Sequence, residues 1–229
     1  MKYQTIVTIK ESEKATVELA AVELFVGPVI VKRLKGGNPE IYRLLSNQSN
    51  PHISQIYAVE EQEKELLIAE EYVDGESLSE HLQKNLLSDE QKLNYALQLC
   101  EAVGFLHALN PSVIHRDIKP SNILINGKGE LKLIDFDASR LYKKASGDSD
   151  TRILGTADYA APEQFGGQGQ TDVRTDIYSL GATIYHLVTG HNPSEPPYEM
   201  YPIRQWNPAL SSGFEAIISK CTQLNPDDR

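Results

Sequence analysis

The stretch HRDIKPSN, residues 115–122, is the part of the chain from which its fold can be inferred. It places the carboxylate of Asp117, the amine of Lys119 and the amide of Asn122 in one short run. Such a run can be an ordinary charged turn on a solvated surface. It can also hold an aspartate that accepts the proton of a substrate hydroxyl, with the lysine and the amide arranged around the same phosphate group.

Phosphoryl transfer depends mostly on positioning and on neutralising charge. It needs an acceptor for the hydroxyl proton, a cation near the transferred group and oxygen ligands for Mg²⁺. Asp117, Lys119 and Asn122 are these three chemical types in a single loop. The downstream segment IDFD adds Asp135, a second hard oxygen ligand suited to magnesium.

The composition is that of a soluble globular protein, with 229 residues, 40% of them hydrophobic and 24% charged. A formal net charge of −10 and the lack of a basic stripe argue against a nucleic-acid partner. Cys100 and Cys221 fit a reducing compartment and form neither a disulfide framework nor a zinc pattern. MKYQTIVTIK lacks the apolar core of a signal peptide, and LAAVELFVGPVIV, which contains Glu23, is too short to span a bilayer. We therefore expect a cytoplasmic protein without a membrane segment in this chain.

β-Branched and alternating apolar runs predict strands in the first part of the chain, interrupted by one short helix near Pro39 to Ser46. The runs are TIVTI (5–9), ATVEL (15–19), VIVKRL (29–34), ISQIYAV (53–59) and ELLIAEEYV (65–73). Two further short strands, ILING (123–127) and LKLIDF (131–136), are predicted between the long helices.

From Ser77 onward the pattern becomes helical. A long helix is predicted between Ser88 and Asn110, and a second from about Thr175 to Val188, which stops at Gly190. The apolar residues expected near one face of the first helix are Leu93, Leu97, Cys100 and Phe105. Three capping boxes are predicted: Ser77 with Glu80, Ser88 with Gln91, and Ser212 with Glu215.

Four motifs in the same order resemble those of eukaryotic-type serine/threonine protein kinases, in particular the bacterial members. HRDIKPSN and IDFD (134–137) resemble their catalytic and metal loops. GTADYAAPEQ (155–164) resembles the end of their activation segment, and TDIYSLG (175–181) the start of the central helix of their C-terminal lobe. Lys119, together with Gly155-Thr156, resembles serine/threonine rather than tyrosine specificity.

The resemblance implies an α+β, two-lobed protein kinase-like fold with an antiparallel β N-lobe and a mainly helical C-lobe. The single kinase domain would span residues 1–229, with the N-lobe at about 1–73, a hinge at about 71–76 and the C-lobe at about 77–229. Kinase domains usually continue into another helix, so we expect that this chain ends early in the C-lobe.

The resemblance also implies roles for residues of the C-lobe, with ATP and Mg²⁺ as cofactors and a protein serine or threonine as the acceptor. Asp117 would accept the hydroxyl proton, and Lys119 would stabilise charge on the γ-phosphate. Asn122 and Asp135 would hold magnesium. Further implied roles are packing of His115 against Phe136, contact of Arg116 with a phosphorylated activation loop, attachment of the catalytic loop by Asp176, pairing of Glu163 with Arg229, and nucleotide binding by Asn122 and Leu124. Because Arg116 needs an anionic partner, we also expect autophosphorylation within Ser146 to Thr156, foremost at Thr151.

In the N-lobe, Lys32 ends VIVK at the place where the family has the lysine that holds the α- and β-phosphates. Val17 stands where the family places the valine that covers the adenine. Glu40, eight residues after Lys32, would be the helix glutamate that pairs with the lysine. Alternatively, Glu40 is a favourable charge in a first helical turn, without a catalytic partner. Glu71 and Val73 are the nucleotide-binding residues expected near the hinge.

Several positions depart from the family pattern. The three glycines of the phosphate loop are replaced by Lys10, Ser12 and Ala15, which predicts a weaker grip on the nucleotide. Ile30 replaces the small residue that the family usually has above the adenine, which narrows the space for that ring. Glu70 stands at the position that borders the pocket behind the adenine. Asp137 replaces the glycine of the magnesium loop. The carboxylate of Glu70 could point to solvent or to a lysine.

Three functions from different classes are compatible with these features. An active serine/threonine kinase is favoured because Lys32, Asp117, Asn122 and Asp135 are all present. A pseudokinase that binds nucleotide or acts as a scaffold is suggested by the missing glycines. A small-molecule kinase of related fold is disfavoured by the intact segment from Gly155 to Glu163. His107, on the long helix, is expected to be a packed or surface histidine.

Overall fold

The computed structural model describes residues 1–63, 65–142, 159–165, 171–196 and 198–229. Thr151, the Gly155-Thr156 pair and the polar loop that precedes them lie outside the described residues. The chain divides into two compact units, Met1–Asp74 and Gly75–Arg229. Among the described residues, no helix combines the length and apolar character needed to cross a membrane.

The N-terminal unit is built on a five-stranded antiparallel sheet with the order β1-β2-β3-β5-β4. All five runs predicted to be strands are confirmed, with ends shifted by a few residues. The strands are β1 (Tyr3–Glu11), β2 (Ala15–Val22), β3 (Pro28–Leu34), β4 (Ile56–Gln62) and β5 (Glu65–Glu71).

Side chains of β3 alternate between the two faces of the sheet. Val29 and Val31 enter an apolar cluster with Ala20, Val22 and Leu67. Ile30 and Lys32 lie on the opposite face, as the sequence predicts. In the register of the sheet, Lys32 is flanked by Val17 of β2 and Ile68 of β5.

Helix α1 (Pro39–Ser46) lies between β3 and β4 in the chain and has the predicted bounds. Asn38 is the N-cap, and its side chain accepts a hydrogen bond from the Glu40 amide at 3.0 Å. Pro39 occupies the first helical turn, where a missing amide hydrogen costs nothing. Ile41, Tyr42 and Leu45 are buried, which fixes α1 against the unit through its apolar side.

The C-terminal unit is mainly helical. Its helices are α2 (Leu78–Lys84), α3 (Asp89–Ala108), α4 (Val173–Thr189), α5 (Ile203–Trp206) and α6 (Ser212–Cys221). Its described strands are short: β6 (Gly75–Ser77), β7 (Val113–Ile114), β8 (Ile123–Asn126), β9 (Leu131–Leu133) and β10 (Arg140–Leu141). β6, β8 and β9 form one small sheet, and β7 pairs with β10.

Two of the three predicted capping boxes are confirmed, those at Ser77 and Ser88. The prediction at Ser212 is wrong by one residue: Ser211 is the N-cap of α6 and accepts a hydrogen bond from the Phe214 amide. Glu215 instead accepts a hydrogen bond from the Arg204 amide, at 2.9 Å. In the segment SSG (211–213), Ser211 and Ser212 are both suitable N-cap residues, and the packing of the helix decides which of them caps it.

The buried face of α3 is also predicted wrongly. Leu93 is 42% exposed and Leu97 is 64% exposed, and Cys100 is exposed as well. The buried residues of the helix are Tyr95, Ala96, Leu99, Ala102, Val103 and Leu106. Small alanines lie on the packed face while Leu93 and Leu97 face outward, so hydrophobicity alone indicates the wrong side of this helix.

Helix α4 forms the centre of the C-terminal unit and ends at Gly190, the predicted terminator. The φ of Gly190 is 74°, a left-handed conformation that glycine adopts readily. Thr175, Asp176, Ser179 and Thr183 are buried along this helix together with its apolar residues. At Gly181, a Cβ would lie 2.6 Å from the Cβ of Cys221. The lack of a side chain at this position therefore permits the close packing of α4 against α6.

Candidate active site

In the C-terminal unit, the loop between β7 and a short 3-10 turn (Pro120–Asn122) brings together three predicted site residues. Lys119 Nζ lies 2.8 Å from Asp117 Oδ2. Asn122 Nδ2 donates to the same oxygen at 2.8 Å and to the Asp117 carbonyl oxygen at 2.8 Å. The side chains of Asp117 and Lys119 are each 19% exposed, so solvent and substrate can reach them.

These hydrogen bonds also orient the amide of Asn122. Because its nitrogen donates to Asp117, the amide oxygen is the atom left to coordinate a cation. Asn122 is buried, which restricts its rotamer. One side chain thus holds the aspartate in place and presents an oxygen ligand.

Asp135 lies close to Asn122 along the backbone. The Ile134 amide donates to the Asn122 carbonyl oxygen at 3.0 Å, just beyond the pairing of Ile123 with Leu133 in the β8–β9 ladder. A carboxylate and an amide oxygen are hard ligands of the kind that Mg²⁺ binds, together with water and substrate phosphates. The described residues contain no cluster of three or more His, Cys, Asp or Glu side chains that could hold a metal. The amide oxygen of Asn122 and the carboxylate of Asp135 are of the chemical kind that fits a magnesium ion with further ligands from water or phosphate.

The loop that carries Asp117 is anchored by Asp176 on α4. This fully buried carboxylate accepts hydrogen bonds from the backbone amides of His115 and Arg116, both at 2.8 Å. The predicted attachment of the loop by Asp176 is confirmed. His107 Nε2 lies 2.8 Å from the same carboxylate, a role that the sequence did not reveal. The one hint was its place near the end of the helix that precedes the loop.

His115 packs against Phe136, with ring centroids 5.2 Å apart, as the resemblance implies. Burial lowers the pKa of His115 and outweighs the opposing effect of nearby carboxylates, Asp176 foremost. Its Nε2 lies 3.2 Å from the Ile134 carbonyl oxygen, and its Nδ1 lies 3.4 Å from the Asp117 amide. A neutral ring that donates through Nε2 and accepts through Nδ1 satisfies both contacts.

Segment 159–165 is attached to the same loop through Gln164 and to Arg229 through Glu163. Gln164 Nε2 donates to the Arg116 carbonyl oxygen at 2.8 Å, a contact that the sequence did not predict. Glu163 forms the expected pair with Arg229, through two hydrogen bonds of 2.6 and 2.9 Å. Burial alone would raise the pKa of Glu163, but hydrogen bonds and charge from Arg229 outweigh it and lower this pKa.

Two site residues other than glycine have left-handed backbone conformations: Arg116 with φ of 67° and Asp135 with φ of 70°. Side chains with a Cβ rarely adopt this conformation. Arg116 Nε donates to the Ala138 carbonyl oxygen at 2.6 Å, and this bond helps to hold the backbone there. Its expected contact with a phosphorylated loop falls on residues outside the described ranges.

In the N-terminal unit, the expected Lys32–Glu40 pair is wrong. Lys32 Nζ lies 3.2 Å from Glu70 Oε1, and both side chains are buried. Glu40 is exposed in the first turn of α1, and its carboxylate forms no ion pair within the described part of the chain. The alternative that Glu40 is only a favourable first-turn charge fits this arrangement. The sequence leaves open whether the carboxylate of Glu70 points to solvent or to a lysine, and in the structure it points to Lys32.

The hairpin at the positions of the missing glycines is closed by a serine. The Ser12 amide donates to the Ala15 carbonyl oxygen at 2.9 Å, and Ser12 Oγ accepts from the Ala15 amide at 3.1 Å. No residue from Lys10 to Ala15 has a positive φ, so this turn does not require glycine.

The other residues predicted to bind nucleotide lie on different elements of the two units. Val17 is half-buried on β2. Glu71 ends β5, and its carboxylate accepts a hydrogen bond from the Gln55 amide at 3.1 Å. Val73 is buried at the end of the N-terminal unit, and Leu124 is half-buried on β8 of the C-terminal unit.

Comparison with known proteins gives a family and several relatives. The family model for the protein kinase domain matches residues 38–229. The chain is 32% identical over 196 residues to serine/threonine-protein kinase PrkC of Bacillus subtilis, a match that covers 80% of this chain and 30% of PrkC. It is 30% identical over 202 residues to serine/threonine-protein kinase PknB of Mycobacterium leprae, covering 79% of this chain and 31% of PknB. The chain thus spans less than a third of the length of these curated relatives.

Proposed function

Because the chain belongs to the protein kinase family, we propose that it is a serine/threonine kinase that transfers the γ-phosphoryl group of ATP to a protein hydroxyl. The observation that carries this proposal is the arrangement of Asp117, Lys119 and Asn122. The lysine and the amide both lie 2.8 Å from one oxygen of the aspartate. This is the proton acceptor, cation and oxygen ligand that phosphoryl transfer needs.

In the proposed reaction, the hydroxyl oxygen of the substrate forms a bond to the γ-phosphorus. The bond from that phosphorus to the β–γ bridging oxygen breaks, and ADP leaves with the electron pair. The hydroxyl proton passes to Asp117. Lys119 stabilises the negative charge on the transferred group, because its ammonium is held beside the accepting carboxylate.

For the nucleotide, the proposed ligands follow the resemblance to the family. Lys32 binds the α- and β-phosphates. Asn122 and Asp135 coordinate Mg²⁺, which when bound neutralises charge on the phosphates. The remaining proposed contacts with ATP are Val17, Glu71, Val73 and Leu124. Glu40 is left out of these contacts, because its side chain is exposed on α1 while Lys32 pairs with Glu70.

A cavity of about 400 Å³ in the C-terminal unit begins beside Lys119. Ser121, Tyr159 and Glu195 are among the residues that line it. We propose that the protein segment with the target serine or threonine binds here, because the cavity adjoins the proposed catalytic residues.

Both cysteines are free, which is compatible with the reducing cytoplasm that we propose as the location.

The test is a phosphoryl-transfer assay with labelled ATP, Mg²⁺ and a general serine/threonine protein substrate. Asp117→Asn should lower the rate by about 10²–10⁴-fold, because a positioned base contributes that much. The matched control is Asp89→Asn on the exposed first turn of α3, which should keep wild-type activity. An Asp117→Asn variant as active as wild type would refute the base assignment. A wild-type protein that binds Mg-ATP without transferring phosphate would favour the pseudokinase.

A further inference from the structure

The ion pair between Lys32 and Glu70 is built into the sheet of the N-terminal unit. Lys32 on β3 lies opposite Ile68 on β5, and Glu70 lies opposite Ile30, so the two charged residues are diagonal neighbours on one face. Their charged atoms are 3.2 Å apart, and their side chains are 6% and 5% exposed. Backbone hydrogen bonds on both strands therefore fix the separation of the two residues.

The buried position of Lys32 favours a carboxylate partner. An ammonium removed from water is costly unless a negative charge or several acceptors replace the lost hydration. The carboxylate of Glu70 supplies that charge within the same sheet. It also fixes the direction of the long lysine side chain, which has many rotamers of its own.

The position of Glu40 relative to Lys32 is fixed much less directly than that of Glu70. It lies on an eight-residue helix, and the connection from β3 contains Gly36 and Gly37, both with positive φ. Its side chain is exposed. Glu40 forms no ion pair with Lys32 in the described part of the chain, whereas Glu70 already forms the contact.

We propose that Glu70, rather than Glu40, is the positioning residue that holds Lys32 for phosphate binding. This inference rests on the proposed kinase function, in which Lys32 binds the α- and β-phosphates. Its consequence is that the sheet sets the position of the lysine. A movement of α1 would then leave the lysine in place.

The experiment measures kcat and KM for ATP in the full chain for three Glu→Gln variants. Glu70→Gln should lower kcat/KM by about ten- to a hundredfold, the cost of a misplaced positioning group. Glu40→Gln should stay within about threefold of wild type, as for an exposed charge. Glu65→Gln is the matched control. Glu65 lies on the same strand as Glu70 and forms a diagonal pair with Arg33 of β3 at 3.6 Å, but both of these side chains are more exposed to solvent. Its loss should leave kcat/KM unchanged.

A double-mutant cycle separates positioning from a general effect on the fold. In a Lys32→Ala background, Glu70→Gln should cause no further loss of Mg-ATP binding, because the residue through which it acts is gone. An equal loss in both backgrounds would overturn the proposal. Glu70→Asp keeps the charge but has a shorter reach, so its kcat/KM should lie between those of wild type and Glu70→Gln.

Other outcomes are equally decisive. If Glu40→Gln is the damaging variant and Glu70→Gln is neutral or more active, the Lys32–Glu70 pair is an inhibitory contact and the proposal is wrong. If Glu70→Gln does not fold, judged by circular dichroism, Glu70→Asp replaces it, and an unchanged kcat/KM in that variant refutes the proposal. If the wild type transfers no phosphate, the proposed function fails. Mg-ATP binding, which should still weaken in Glu70→Gln, then tests the positioning role separately.

Discussion

In the C-terminal unit, the loop with Asp117 is held by side chains that bind its backbone, whereas in the N-terminal unit Lys32 is held by the hydrogen bonds of a sheet. The loop has no ladder of its own. Asp176 accepts from two of its amides, and Gln164 donates to one of its carbonyl groups. The lysine needs only strand neighbours and one carboxylate on the same face.

The difference bears on how well each unit tolerates amino-acid replacements. A loop held by particular side chains tolerates few replacements, since each one leaves a backbone group without its partner. A sheet keeps its shape through many replacements that preserve its alternation. The family model begins to match at residue 38, after Lys32 and after the hairpin without glycines.

The largest effect on stability is expected in the C-terminal unit, from Asp176→Ala. The change leaves two buried amides without an acceptor, at about 1–3 kcal/mol each, so the free energy of unfolding should fall by about 2–6 kcal/mol. Urea denaturation followed by fluorescence of Trp206, the single tryptophan of the chain, measures this loss. Asp227→Ala is the control, because Asp227 is 81% exposed. Equal midpoints for Asp176→Ala and wild type would contradict the anchoring role.

A smaller effect is expected from Glu163→Gln. The charged hydrogen bonds to Arg229 make the wild type more stable at neutral pH by about 1.5–3 kcal/mol. The folded protein lowers the pKa of Glu163 below its ordinary value of 4.5, so this contribution is complete above that value and is lost as the pH falls through the lowered pKa.

Denaturation midpoints of wild type and Glu163→Gln, measured from pH 7 downward, should therefore converge in acid. Arg229→Met should approach wild type in acid without reaching it, because Arg229 also donates to the carbonyl oxygens of Arg174, Gln223 and Leu224. The double variant should be less destabilised than the sum of the two single variants, because both single changes remove the same pair. A difference that stays constant down to low pH would show that the pair does not titrate.

The smallest effect is expected in the N-terminal unit, from Ser12→Ala. The variant loses exposed hydrogen bonds to Ala15 but keeps the backbone bond of the turn, so it should lose about 0.5 kcal/mol. Ser12→Gly should lose slightly more, because glycine adds freedom to the unfolded chain. Thermal melting measures both changes. A loss as large as that of Asp176→Ala would remove the contrast between the two units.

Local signals in the sequence predict much of the fold. Asn38 and Pro39 give the start of α1, and Gly190 gives the end of α4. The buried face of α3 is missed because alanines pack inward while Leu93 and Leu97 face solvent. The choice of Ser211 over Ser212 as a cap is missed because adjacent residues of the same type carry the same signal.

The candidate site shows the same limit. Asp117, Lys119 and Asn122 are close in the chain, so their association can be predicted from one motif. The contacts of His107 with Asp176 and of Gln164 with Arg116 join distant segments, and spacing carries no signal for them. The partner of Lys32 depends on the register of two strands and on the exposure of α1, which the motif does not encode.

The left-handed backbones of Arg116 and Asp135 have a consequence for directed evolution. Each of these conformations destabilises the folded protein by about 1–3 kcal/mol, and a glycine at the same position would largely remove that cost. A library selected only for heat resistance should therefore enrich glycine at position 135, even though the lost side chain is a proposed metal ligand. At position 116 the gain is offset by loss of the bond to Ala138. Glycine at position 135 in the selected variants, together with a loss of phosphoryl transfer, would mark Asp135 as a residue kept for its chemistry.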